Sequence, residues 1–84
     1  MYENLPIYQC HKRVRAALIV ERDNNVLTLE TPDGTQMKVT VDDEYLSRCP
    51  KLDVGGFFVV YQEGDEYTSY SPYGPFVNGY TLME

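Results

Sequence analysis

The run Phe57-Phe58-Val59-Val60-Tyr61 limits most sharply what this chain can fold into. Five residues are too few for a stable helix, and apolar side chains stand at both parities. A strand of that kind must be covered on both faces or sit in the middle of a sheet. Gly55-Gly56 stands at its entry, where a missing Cβ permits a bend or a close approach by a neighbour. Glu63-Gly64-Asp65-Glu66 marks a hairpin turn at its exit. The rest of the chain therefore has to supply cover on two sides.

Upstream, the pattern is that of a β-meander. From Arg13, Val14, Ala16, Leu18 and Val20 alternate with Arg15, Ala17, Ile19 and Glu21, the period of a strand. The second set turns apolar at Ala17 and Ile19, so the strand's second half is expected to be covered on both sides. Asp23-Asn24-Asn25 reads as a tight turn, because Asn tolerates positive φ. Val26 to Thr31 returns with Leu27 and Leu29 inward. Thr31-Pro32-Asp33-Gly34 is a second turn, in which Pro presets φ and Gly accepts the reversed dihedral. Thr35 to Val41 alternates again, with Met37, Val39 and Val41 on one face. Asp42-Asp43-Glu44-Tyr45-Leu46-Ser47-Arg48 then has an Asp for a cap, acids first and Arg last, the layout of a short helical turn. A metal site is the rival reading of these carboxylates, but calcium-loop spacing is missing.

Beyond the apolar strand, Tyr67 to Ser71 is a return strand. Two prolines keep Ser71-Pro72-Tyr73-Gly74-Pro75-Phe76 out of regular sheet, and Ser71-Pro72 would suit the opening of a single helical turn. Asn78-Gly79 is a further turn, and Tyr80 to Met83 a short last strand. Residues 1–12, MYENLPIYQCHK, show no periodicity and are expected as an irregular arm. The expected fold is mainly β: a small antiparallel barrel of SH3-like kind, or a strongly bent sheet, with five to six short strands and about one helical turn. All 84 residues form one domain on this reading, since a chain this short has room for one core.

Chemistry is mostly excluded. No phosphate-binding loop, dinucleotide fingerprint or nucleophile elbow is present. Cys10 and His11 are adjacent on an extended stretch and would point apart, a poor nucleophile–base pair. Two cysteines and one histidine, without close spacing, fall short of a zinc site. Cys10 and Cys49 are expected as reduced thiols; a single bridge is the alternative. The expectation is no enzyme, no catalytic residue, no metal and no cofactor. No apolar run approaches a membrane span and no signal-peptide layout opens the chain, so an intracellular, soluble protein is expected.

Charge and aromatics narrow the partner. The net charge is −6. Lys12, Arg13 and Arg15 against Glu3 leave residues 1–15 at +2, whereas residues 54–84 carry Glu63, Asp65, Glu66 and Glu84 with no Lys or Arg. Such a balance disfavours nucleic acid, whose binding needs clustered cations. Five of eight tyrosines fall in the last third: Tyr61, Tyr67, Tyr70, Tyr73 and Tyr80. They cover a core that lacks Trp or form a protein-binding face; stacking of single-stranded bases on the rings is a third reading, which the acidic surroundings weigh against. The candidate partner-binding residues are Tyr67, Tyr70, Tyr73 and Phe76, with Glu63, Asp65 and Glu66 at the hairpin tip. A homodimer through an unpaired edge strand is a further arrangement to expect.

The two ends of the chain resemble small phage and prophage accessory proteins. At the C-terminal end the resemblance runs through Pro50, Gly55, Gly56, Phe57, Val59 or Val60, Tyr61, Gly64, Tyr67, Ser69, Ser71, Pro72, Phe76, Gly79 and Tyr80. At the start it rests on His11, Lys12, Val14 and Ala16. The chain departs from that pattern at Gly64-Asp65-Glu66-Tyr67, implying a longer hairpin tip, and at Tyr73-Gly74-Pro75, where helix-favouring residues would be expected. Most members of that group have no assigned function. The resemblance implies a bacterial host cytoplasm and a small protein that binds a host or phage protein. A decoy or inhibitor of a host defence complex that grips nucleic acid is one form of this, and a minor structural or assembly component of a phage particle is the other.

Overall fold

A computed structural model describes residues 2, 4–9, 13–61 and 67–83. Seven strands and two short helices follow one another as β1 (Ile7–Gln9), β2 (Arg13–Asp23), β3 (Val26–Glu30), β4 (Gln36–Thr40), α1 (Asp43–Arg48), β5 (Phe57–Tyr61), β6 (Tyr67–Ser71), α2 (Tyr73–Gly79) and β7 (Thr81–Met83). All strands belong to one antiparallel sheet. The sheet is strongly bent and does not close into a barrel. There is one strand more than the sequence suggests, because Ile7–Gln9 pairs with both β2 and β7 where an irregular arm was expected.

The eleven-residue β2 is the hub. One of its edges pairs with β5, from Val14↔Tyr61 to Leu18↔Phe57. The opposite edge is shared: β1 takes Arg13 to Arg15 and β3 takes Leu18 to Asp23. A register shift between Ile19 and Glu21 marks the bend, as an extra residue in one strand increases local twist. The turns form as their residues require. Asn24 has φ of 55° and Gly34 has φ of 90°, and the Gly34 amide donates to the Thr31 carbonyl at 2.9 Å.

Because β2 and β5 are apolar at both parities, the sheet carries a core on each face. Ala17, Ile19, Phe58 and Val60 join Leu5, Leu27, Leu29, Val39, Val41, Tyr45 and Leu52 in the larger one. Val14, Ala16, Phe57 and Val59 join Phe76 in the smaller one. The two-sided burial expected from Phe57–Tyr61 is what the strand shows, with Phe57 to Val60 all buried. No helix among the described residues is long and apolar enough to cross a membrane.

Candidate functional site

The tyrosine-rich segment lies at the β5–β6–α2 end of the sheet, and each helix sits over a different core. α1 begins where the sequence places it. The Asp42 carboxylate accepts from the Tyr45 amide at 2.8 Å, with Asp43 and Glu44 in the first turn and Arg48 in the last. Its Tyr45 is buried, and the phenol donates to the Ser69 carbonyl of β6 at 2.8 Å. Arg48 donates to the Thr68 carbonyl at 2.9 Å and lies 4.8 Å over the ring centre of Tyr67. The three carboxylates are thus a helix start. Among the described residues no group of His, Cys, Asp or Glu is placed to hold a metal ion.

α2 forms despite Gly74 and Pro75. Pro72 occupies the cap position and supplies no side-chain acceptor, and neither end carries a charge that complements the helix dipole. Local propensity therefore does little for this helix; its inward residue Phe76 holds it. The Phe76 ring stacks on Phe57 at 4.0 Å and on Tyr80 at 4.7 Å, with Tyr8 edge-on at 4.9 Å. Tyr73 extends the stack, 6.0 Å from Phe57 on the outside. Such pairs add to the area they bury.

The predicted site residues separate accordingly. Tyr73 is 57% exposed and Tyr67 52% exposed, both on the surface. Tyr70 is half-buried and packs against the larger core. Phe76 is fully buried, a support for the surface rather than a part of it. Glu63, Asp65 and Glu66 lie outside the described residues. Val77, 44% exposed, stands one helical turn from Tyr73 on the same outer face of α2. Sequence reasoning passed over Val77, although Tyr73, Phe76, Val77 and Tyr80 already have the spacing of a helical stripe. Arg48, which roofs Tyr67, gave no signal in the sequence.

The glycine pair before β5 also shapes this end. Gly55 has φ of 97°. A Cβ on Gly56 would fall 2.3 to 2.5 Å from the Tyr70 ring and hydroxyl, so the close approach suggested by Gly55-Gly56 is made by Tyr70. Burial, with a smaller push from the Asp53 carboxylate, raises the Tyr70 hydroxyl above its ordinary pKa of 10.0. Burial, reinforced by neighbouring Cys49, raises Tyr45 further. Both phenols stay neutral at physiological pH. Cys49 is a free, half-buried thiol; Cys10 and His11 lie outside the described residues. The groove of about 240 Å³ beside α1 is lined by Arg48, Cys49, Pro50, Lys51, Tyr70 and Pro72, among others.

What this arrangement offers is contact area: Tyr73 and Val77 exposed on α2, and Tyr67 exposed on β6. No family model, no curated protein and no solved structure matches the chain.

Proposed function

We propose that the protein acts by non-catalytic binding of another protein, with Tyr73 and Val77 on the outer face of α2 at the centre of the contact. The observation that carries this is the pairing on one short helix of a buried anchor, Phe76, with two large apolar residues left in solvent. Tyrosine on a rigid support gives wide contact at small entropic cost. Tyr67, under Arg48 and beside Tyr61, is a second exposed tyrosine at the other end of β6. The net charge of −6 favours a partner with a basic face. A host defence complex that grips nucleic acid is such a partner, and the protein would act on it as decoy or inhibitor in a bacterial cytoplasm, as a phage-type accessory protein.

A direct test compares wild type with a Tyr73→Ala/Val77→Ala variant in binding to purified host nuclease complexes. Binding by wild type, weakened at least tenfold in a variant with an unchanged melting temperature, supports the reading; truncated interface anchors typically lose ~2 kcal/mol or more. Wild-type binding that the variant retains in full would sink the assignment of α2. Absence of any complex across salt concentrations would sink the partner class.

The sheet's uncovered edges support a second reading, as a minor structural or assembly component that pairs through a strand, with itself or with a phage protein. Among the described residues β4, β6 and β7 each pair with one strand only, and unpaired edges invite further strands. Its absence from purified phage particles would remove this alternative.

A further inference from the structure

β1 and β3 leave the same edge of β2, and the point where they part is a fork. The last β1-side contact is the Ala16 amide donating to the Pro6 carbonyl at 3.0 Å. The first β3 pair is Leu18↔Glu30. Between them the two strands diverge, β1 carrying β7 with it and β3 carrying β4. Two adjoining clefts open at this fork and share Thr31 and Pro32 as a common wall. One, of about 330 Å³, has Asn4, Pro6 and Leu82 opposite Thr31, Pro32, Asp33 and Thr35. The other, of about 200 Å³, has Tyr8, Leu18 and Phe57 opposite Glu30, Thr31 and Pro32.

The lining has a consistent chemistry. Pro6, Pro32, Leu18, Leu82, Tyr8 and Phe57 make it apolar, and the two charged residues among the described ones that line it, Glu30 and Asp33, are both acids. Among the described residues of the lining there is no cation beside either carboxylate. Glu30 accepts from the Gln36 side chain at 3.1 Å, and Asp33 accepts from the Thr35 amide at 3.0 Å and from the Thr31 hydroxyl. These donors are all neutral groups. Hydrogen bonds from Thr31 and Thr35 hold Asp33 below the ordinary carboxylate pKa. Two adjoining cavities that share a wall, with strands on either side, fit an extended chain better than a compact ligand.

We infer that the fork is a second binding site, for an extended cationic peptide segment of a partner protein in which arginine or lysine alternates with proline or leucine. The apolar residues of such a segment fill the clefts beside Pro32, and its cations face Glu30 and Asp33. This site is separate from the outer face of α2 and does not depend on the function proposed for it.

The test uses the isotope-labelled full chain and a ten-residue peptide of alternating arginine and proline or leucine, blocked at both ends, with a control in which glutamate replaces arginine. Saturable amide shifts at Tyr8, Thr31, Asp33, Thr35 and Leu82 are expected with the basic peptide and none with the acidic one. Glu30→Gln and Asp33→Asn keep the acceptors that hold Gln36 and the turn while removing charge. Each should weaken binding about threefold, and the pair about tenfold, as exposed charge pairs do. Equal binding of both peptides, undiminished binding by the double variant, shifts confined to another acidic stretch such as Asp42–Glu44, or no saturable shift at all would each overturn the inference.

Discussion

The two helices meet the same sheet in different ways. α1 is capped within its own segment by the Asp42 carboxylate and tied to the sheet by two polar contacts, Tyr45 bonded to Ser69 and Arg48 bonded to Thr68. The core beneath it is mostly aliphatic and draws on strands β2 to β5. α2 has no side-chain cap and contains two glycines and a proline. It rests on a small aromatic core through one inward ring, Phe76. α1 is therefore specified by its own sequence as well as by its contacts, whereas α2 exists because of what Phe76 touches. The difference bears on the proposed contact, since the helix with the weaker local support is the one that presents Tyr73 and Val77.

The largest effects should come from the two anchors. Phe58→Ala, in the larger core, is expected to cost about 3–5 kcal/mol, a large share of the stability of a domain this size. Phe76→Ala should cost about 3 kcal/mol, yet leave the β2–β3–β4 meander paired. Chemical denaturation with residue-level NMR separates these outcomes. Loss of the meander in Phe76→Ala would mean that the two cores are not independent.

Gly56→Ala comes next. The new methyl group would displace the Tyr70 ring, so a loss of about 1–3 kcal/mol is expected. A Gly56→Ala/Tyr70→Ala double variant should lose much less than the sum of its parts, and full additivity would contradict the packing described.

Tyr45→Phe removes one hydrogen bond, for about 1 kcal/mol, and changes the response to alkali. The Tyr45 pKa is raised by burial above 10.0. The stability contributed by the neutral phenol is thus complete below pH 10 and lost as pH climbs toward the raised value. The variant should show a shallower alkaline loss of stability than wild type, and identical alkaline limbs would remove Tyr45 from the account.

The caps give the smallest effect and the cleanest contrast. Asp42→Ala should cost about 1 kcal/mol. Pro72→Asp, which gives α2 the acceptor it lacks, should stabilise by a few tenths of a kcal/mol. Thermal melts of both variants check the pair, and a destabilised Pro72→Asp would show that the proline itself matters to α2.

How far the fold could be read from the sequence follows the same division. The meander, its Asn24 and Gly34 turns, the α1 cap and the two-sided strand at Phe57–Tyr61 are written in local pattern and turn chemistry. β1 was missed because three residues of mixed polarity form a strand through backbone pairing with β2 and β7, which composition does not record. The length of α2 was missed because Gly74, Pro75 and Gly79 argue against a helix and only the burial of Phe76 overrides them. Among the candidate residues, Tyr67 and Tyr73 are exposed while Phe76 is buried; nothing in a lone phenylalanine among turn residues marks it for burial. The Arg48–Tyr67 contact joins positions far apart in the chain and depends on the fold.

Native-state hydrogen exchange tests the contrast between the helices most directly. In α1 the Leu46 and Cys49 amides bond to Asp42 and Tyr45, and in α2 the Phe76 and Tyr80 amides bond to Pro72 and Phe76. A locally supported helix should open only with the whole domain, and a helix held by one docked ring should open separately. The expected result is that Phe76 and Tyr80 exchange on the order of 100-fold faster than Leu46 and Cys49 under native conditions, a gap of about 2.7 kcal/mol. Equal protection of the two helices, or faster exchange in α1, would contradict the account.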